Sequence, residues 1–526
     1  MPRKDAIRWS PPVELSARER KICQKCKRNG RLYAFLRRHR HELVDDAFQA
    51  ELAKMYADTP KGHPPIAPAL LVLVTILQAA DGVSDEGAVN EAAFDARWQM
   101  VLDCLGAESA PFSQGVLPEF RKRLIDNGLQ ERLVAQSVEV AKKTGGFGYK
   151  QLKVALDSAP LWGAGRVEDT FNLIGHALEI VARCAAAVLE TSTGDVLEGA
   201  GLTLIGKSSI KRALDIDWDD KDEQRRALNE LIGEVEKLRS WLDENLDEEQ
   251  RAVAPLQEAL VQLERVLKQD LEPDPDGDGQ QIARGTAKDR QISIEDPSMR
   301  HGRKSRSTTI KGFKQFIAKE LDHGLILGVT VQPANQAERE ATGALKRQVE
   351  TFGTLHTLFI DRGFLASEWT ADHHDGGGRV VCRPWVPRNR GLYSKRDFTI
   401  DVAAAEVTCP AGDTQPIRGR VVRFPKSVCG PCALREQCTR AKEGRGRSIS
   451  IHAQEQLHQE LAARKTTPEG RAELRERVPV EHSLAHICNR RGRRARYIGV
   501  AKNIFDLCRY AVIENCFAAD RMERAA

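Results

Sequence analysis

QLKVALDSAPLWGAGRVEDTFNL, residues 151–173, decides how this chain reads. An apolar run that includes Val154 stops at one carboxylate, Asp157, and then breaks into Ser158, Pro160, Gly163 and Gly165. A short apolar, partly β-branched run bounded by turn residues predicts a buried strand. A carboxylate at the end of such a strand is held by the sheet yet faces a loop, where α/β sheets place their chemistry. A second one appears at Asp361, where Leu355, Leu358, Phe359 and Ile360 lead into Asp361, Arg362 and Gly363. Two strands ending in Asp, with a Glu on a later helix, gather carboxylates able to hold a pair of divalent cations. Glu481 is the candidate for that third residue.

With 526 residues the chain is too long for one compact core, which predicts roughly two to four domains. A charged fraction of 29% beside 41% hydrophobic residues is that of a soluble globular protein. No apolar run reaches about 18 residues, so no membrane span is expected. The first residues lack the apolar core of a secretory signal, and the expected location is the cytoplasm. Twelve cysteines, two pairs of them as Cys-x-x-Cys, favour a reducing compartment and metal sites over a disulfide scaffold. The net charge of +5 is mild but unevenly spread, with basic residues crowding the first forty positions and an acidic stretch at 215–278. Such asymmetry predicts a polyanionic partner held by part of the surface.

Residues 1–145 read as a helical N-terminal domain, with helices at 32–55, 68–78, 86–104 and 118–143 and a cap at Ser84. It is either a DNA-binding domain using Arg121, Lys122 and Arg123 on phosphates or a bundle whose charges are merely solvated. Cys23 and Cys26 give a weak zinc hint. A helix is predicted at 174–189. A helical insertion follows at about 206–290, where Leu228, Leu231, Val235, Leu238 and Leu242, then Leu256, Leu260, Leu263 and Leu267, repeat at helical spacing. Helices of this kind pair as a hairpin or with another subunit as a coiled coil. Asp274, Asp276 and Asp278 imitate a calcium loop that fails at Gly285, where a bidentate Glu is required, so 272–289 reads as a flexible polar linker.

Beyond the insertion, Phe313 to Lys319, a turn at Asp322, His323 and Gly324, and Leu325 to Val331 predict a hairpin. A strand carrying Asp157, a hairpin and a strand carrying Asp361 begin an RNase H-like mixed sheet, giving an α/β fold class. Near the end of the chain, Cys409, Cys429, Cys432 and Cys438 supply four thiolates, enough to close a tetrahedral zinc site. The alternative is four reduced cysteines in a loop. The seven positions from 490 to 496 hold five arginines, Arg490, Arg491, Arg493, Arg494 and Arg496, and no acid, beside Tyr497. Such a loop next to metal-bound carboxylates is expected to hold DNA phosphates.

Over nearly its whole length the chain resembles the DDE transposases of bacterial insertion sequences, in the branch with a helical N-terminal domain and a cysteine-bearing insertion before the last acidic residue. The resemblance rests on Gly62-His63-Pro64-Pro65 and Ala96-Arg97-Trp98, on LDSAPLWGAGRVEDTFNL around Asp157 and on FIDRGF around Asp361. It rests equally on YSKRDF, TCPAG, CGPCALREQCT, RERVPVEHSLAHI and RRARYIGVAKN. It implies an RNase H-like DDE catalytic domain over 146–526, with the cysteine-bearing insertion at about 395–445. It also implies two Mg²⁺ or Mn²⁺ ions held by Asp157, Asp361 and Glu481. The implied activity is cleavage of DNA at the element's ends and transfer of the strands to a target, by a homo-oligomer assembled on DNA. Arg477 matches an arginine that relatives place ahead of the Glu, as a DNA contact, while Leu474 stands where relatives have Tyr and Cys488 where they have Lys. Two other readings are a transposon-derived DNA-binding regulator without catalysis and a hydrolytic nuclease with the same core.

Overall fold

The run around Val154 forms β1 (Leu152–Trp162), in the middle of a mixed sheet. The computed structural model describes residues 7–57, 65–145, 147, 151–206, 209–275, 277, 279–303, 307–442 and 444–525. Gly62, His63 and Pro64 of the motif quoted above, and Asp276 and Asp278, lie outside those residues. The other strands of the sheet are β2 (Arg300–Arg303), β3 (Thr309–Glu320), β4 (Ile326–Pro333), β5 (Leu355–Ile360) and β6 (Arg379–Cys382). β3 runs antiparallel to β1 on one side, while β5 runs parallel to it on the other and carries β6, also parallel. Beyond β3 lie β4, paired over 313–319, and β2, paired over 309–312, both antiparallel to it. The expected hairpin is therefore β3–β4, and the architecture is α/β, compatible with an RNase H-like core.

β1 is longer than expected: it does not end at Asp157 but continues to Trp162, opposite Gly312. β3 supports it along that whole length, whereas β5 pairs with it only as far as Ala155 opposite Phe359. Between Ala155 and Trp162 β5 no longer pairs with this edge of the strand, which is where a proline such as Pro160 is tolerated, since it has no N–H to give to a ladder.

The N-terminal part is helical, as its apolar spacing predicts, but in shorter pieces. α1 (Ala17–Lys25), α2 (Arg31–Leu43), α3 (Asp46–Ala53) and α4 (Pro68–Asp81) are followed by α5 (Asp85–Phe94), α6 (Ala96–Leu102), α7 (Val116–Asp126) and α8 (Gln130–Gly145). The predicted 32–55 and 86–104 helices break at Asp45 and Asp95. Each carboxylate accepts a backbone N–H of the helix that follows, from Phe48 at 2.8 Å and from Arg97 at 2.6 Å. An Asp competes in this way with the helix it interrupts and caps the next one. Ser84 caps α5 through the Gly87 N–H at 2.9 Å, as its sequence predicts.

These helices and the sheet share one hydrophobic core. The last helix joins them: its Asn515 side chain exchanges hydrogen bonds with the Ile326 backbone of β4, at 2.7 and 2.9 Å, and donates to Ser137 Oγ of α8 at 2.9 Å. The insertion has its own core, built on α9 (Thr170–Val188), against which α10 (Lys221–Asn245) and α11 (Ala254–Asp270) both pack. Arg239 of α10 pairs with Glu264 of α11, so the two amphipathic helices are satisfied within the chain. By length and apolarity alone α9 could cross a membrane, but its apolar residues form the centre of the insertion core. The predicted polar linker contains a small ribbon, Leu271–Pro273 paired with Gln280–Ile282. Asp289 then ties the insertion to the main sheet, accepting from Arg265 at 2.6 Å, from Arg300 at 2.7 Å and from Asn335 at 2.9 Å.

Gly312 is a tight point of this framework, where β3 meets the end of β1. Its φ is +141°, and a Cβ there would lie 2.2 Å from Gly163 N and 2.7 Å from Leu161 O, both backbone atoms that cannot turn aside. Gly312→Ala is expected to lose more than about 3 kcal/mol in denaturant unfolding. Gly233→Ala, inside α10 with open space around its Cβ position, is expected to gain about 1 kcal/mol. Equal effects of the two changes would contradict this account of the β1–β3 junction.

Candidate active site

β1 and β5 run side by side to Ala155 and Phe359 and are not paired beyond them. Asp157 and Asp361 each stand two residues past that point, so both carboxylates lie where the parallel strands part. The third element is α15, where α12 (Thr342–Val349), α13 (Glu368–Asp375) and α14 (Glu455–Thr466) precede it and α15 spans Val478–Arg491. Pro479 stands in the first turn of α15, with Glu481 in the same turn, a position the helix dipole favours for an acid. Glu476 belongs to the preceding turn and is exposed, and Glu473 pairs with Arg379 at 2.5 Å, so Glu481 is the one of the three that reaches the two aspartates' neighbourhood.

α15 is laid on the sheet by polar side chains that no sequence pattern marked. Residues directly opposite on antiparallel strands share a face, and Lys319, Ile317 and Gln315 of β3 stand opposite Ala155, Asp157 and Ala159. Lys319, buried, donates from Nζ to Ser483 Oγ at 2.5 Å and to the Pro479 carbonyl at 3.3 Å. Burial holds the ammonium of Lys319 below its usual pKa. Gln315, also buried, donates to Cys488 Sγ at 3.2 Å and accepts from Arg491 Nη2 at 2.8 Å.

The three acids meet on one guanidinium. Arg477 Nη2 lies 2.6 Å from Asp157 Oδ1 and 3.1 Å from Asp361 Oδ2, and its Nη1 lies 2.7 Å from Glu481 Oε1. Nε donates to the Leu156 carbonyl at 3.2 Å, which holds the plane of the fork against β1. The Asp157 side chain is 14% exposed, against 56% for Asp361 and 53% for Glu481. Burial pushes the Asp157 carboxyl up to about 6, against the lowering pull of Arg477 and with Asp361 and Glu481 adding to the rise. Arg362 does not pair with Asp361; it donates to the Arg383 carbonyl at 3.2 Å and stacks over Trp385 at 5.0 Å. A fourth carboxylate, Glu338, accepts from Ser158 Oγ at 2.6 Å and fills the space beside Gly363, where a Cβ would meet its Oε2 at 1.7 Å. Asp157, Glu481, Trp162, Asn489 and Arg493 line an adjoining groove of about 610 Å³.

The arginine-rich segment is more structural than expected. Its backbone pairs beside the end of β1, with Trp162 N donating to Arg493 O at 3.0 Å and Ala495 N to Trp162 O at 2.6 Å. Arg493 is exposed and lines the groove, and Arg494, also exposed, donates to Ala164 O at 2.8 Å. Arg490 lies over Phe517, and Arg496 donates to the Val83 carbonyl. Tyr497 is enclosed by Arg121, Arg496 and Arg509, at 5.4, 5.8 and 5.6 Å. The Arg491 side chain is enclosed between Gln315 and Asp506, only 2% exposed. In the N-terminal part Arg121 forms a two-pronged pair with Asp85, Lys122 pairs with Asp126 and Arg123 stacks on Tyr56.

Among the described residues no group of three or more His, Cys, Asp or Glu side chains is placed to hold a metal ion. For the acids the reason is visible: the oxygens that would face a cation face Arg477 instead. Cys409, Cys429, Cys432 and Cys438 do come together around one narrow cavity, but the expected zinc arrangement is not found. Cys429 accepts the Arg447 N–H at 3.4 Å, and Cys409, Cys429 and Cys438 pack against a small apolar cluster of Phe398, Val407 and Phe424. Burial raises the Cys438 thiol, with the other three cysteines adding to the rise. Cys23, of the other Cys-x-x-Cys pair, packs on Met100, 3.6 Å from its sulfur.

Compared with known families, residues 408–516 match one described as "Transposase DDE domain" and residues 18–123 one described as "Transposase domain (DUF772)". No curated protein and no solved structure matches the chain. The first match spans the cysteine block, Arg477, Glu481 and the arginine segment; Asp157 and Asp361 lie outside both.

Burial separates two neighbouring arginines. Arg491→Ala leaves Asp506, itself fully buried, with one cation fewer and is expected to cost about 3 kcal/mol of stability. Arg493→Ala, at an exposed position, is expected to stay within about 0.5 kcal/mol. Thermal unfolding of the two variants side by side measures this, and an unchanged Arg491→Ala protein would refute the buried assignment.

Proposed function

Because residues 408–516 and 18–123 match transposase families, we propose that the chain is an insertion-sequence DDE transposase that cleaves DNA at the ends of its element and transfers those ends to target DNA. The observation that carries this reading is the meeting of Asp157, Asp361 and Glu481, from two strands and a helix, on the single side chain of Arg477. The order of the sheet, with β3 antiparallel between β1 and β4, supports an RNase H-like core for the catalytic part. The acids offer only oxygen donors, the chemistry that suits Mg²⁺ or Mn²⁺, and they are the residues that would hold such ions. Bound there, divalent cations make an attacking water or 3′-hydroxyl more acidic and stabilise the leaving oxygen.

The rest falls to the chain's own side chains. Lys319 and Gln315 hold α15 at a set height over β1, which sets where Glu481 stands relative to Asp157. Trp162 and Pro160 wall the groove that leads to the acids, and Arg493 on its lining supplies a positive charge for a DNA phosphate. Arg494, exposed beside it, extends that charge. These contacts take no part in base recognition in this proposal; they position the backbone. The protein acts in the cytoplasm, as a homo-oligomer on DNA.

Glu481→Gln is expected to abolish Mg²⁺-dependent cleavage of end-containing DNA while leaving DNA binding nearly intact, and Glu476→Gln to keep most of the activity. Gel analysis of nicked and joined products reads both. A dead Glu476→Gln protein beside an active Glu481→Gln protein would show the acid to be misassigned. Nicks without joined products would make the protein a nuclease of the same core.

A further inference from the structure

Among the described residues Arg477 has no ionic partner but the three acids, and it touches all of them. Its fork is spent entirely at the site: Nη1 on Glu481, Nη2 on Asp157 and Asp361, Nε on the Leu156 carbonyl. A guanidinium cannot lose its proton in a protein, so it cannot yield its place by neutralising; it can only move. Divalent cations shared by the three acids would take their oxygens at about 2.1 Å and would stand within a few ångströms of a fixed positive charge. Both cannot be held by Asp157 Oδ1, Asp361 Oδ2 and Glu481 Oε1 together.

We propose that Arg477 is a displaceable stand-in for the catalytic cations: it holds the three carboxylates together while the site is empty of metal, and it must leave before divalent ions load. The inference rests on the reading of the triad as a cation site. Arg477 sits at the N-cap of α15, where the backbone is set by the helix it opens, so leaving is a rotation of its side chain and not a rearrangement of the fold. The side chain is 11% exposed, and two of its partners, Asp157 and Glu481, line the groove together with Arg493. A DNA phosphate in that groove is the anion that would receive the released guanidinium. Metal loading and DNA binding are then coupled through one side chain, and the coupling is reciprocal.

The test is Mn²⁺ binding to the full chain, followed by electron paramagnetic resonance with and without a short duplex. Wild-type protein is expected to bind Mn²⁺ weakly alone and about tenfold more tightly with DNA. Arg477→Gln is expected to bind Mn²⁺ about tenfold more tightly than wild type without DNA, and to gain little more when DNA is added. Arg477→Lys, which keeps the charge but gives up the fork, should fall between them. Removing Arg477 leaves three acids facing one another, so a lower melting temperature that Mn²⁺ restores is the second readout. Equal or weaker Mn²⁺ binding by Arg477→Gln would overturn the stand-in while leaving the triad as a cation site. Absence of Mn²⁺ binding in every protein, or binding that survives Asp157→Asn with Asp361→Asn, would overturn the cation site itself and the stand-in with it.

Discussion

Three carboxylates held close together in a partly buried site must either take up protons or share a positive charge. In this protein that charge is the guanidinium of Arg477, and the geometry around it follows from the requirement. Asp157 is buried deeply enough that its carboxyl is pushed up to about 6, even with Arg477 beside it. The opening that admits the three acids is made by the sheet: β5 stops pairing with β1 at Phe359, and the next residues of both strands part. A sheet paired two residues further would close the space where Asp157 and Asp361 stand.

The framework that holds this opening is continuous with the helices before residue 146. The last helix, α16 (Val500–Ala525), carries the buried pair of Arg509 and Asp506, and Asn515 bonds both to β4 and to α8. Tyr497, just before it, is enclosed by arginines from the N-terminal helices and from α16 itself. Displacement of the N-terminal helices would therefore reach the arginine segment that pairs beside β1 at Trp162. The insertion, by contrast, buries its own apolar surface on α9 and meets the sheet through polar ties such as Asp289. A part with its own core can vary without disturbing the acids, whereas a part that shares the core cannot.

Alternation, helical spacing and turn residues were enough to mark β1, the β3–β4 hairpin, β5, the N-terminal helices and the amphipathic α10 and α11, because each depends on neighbours within a few residues. The two aspartates were legible because an apolar run ending in a carboxylate is a local pattern, and Glu481 only because the transposase-like motif RERVPVEHSLAHI singles it out from the nearby Glu473 and Glu476. The resemblance to transposases was legible in motifs at both ends of the chain, where the two family matches also fall. Local pattern was silent on how far β1 extends, since that depends on β3, which lies some 150 residues away in the chain, and on the edge, no longer paired with β5, that tolerates Pro160. It was silent too on Lys319, Gln315 and Glu338, which are ordinary polar residues until another element lies over them.

The arginine segment shows the division most clearly. Its composition determined that a dense positive charge stands beside Glu481. Only the packing decided that Arg493 faces a groove while Arg491, two residues earlier, is enclosed between Gln315 and Asp506. The four cysteines are similar: their spacing determined that they could meet, and the fold decided that they meet around apolar side chains and a backbone N–H. For Arg477 the sequence determined a cation four residues ahead of Glu481, which is one turn of helix. That the same side chain also reaches Asp157 and Asp361 was decided by tertiary structure alone, because a charge is shared through space, and the residues that share it here come from positions 157, 361, 477 and 481.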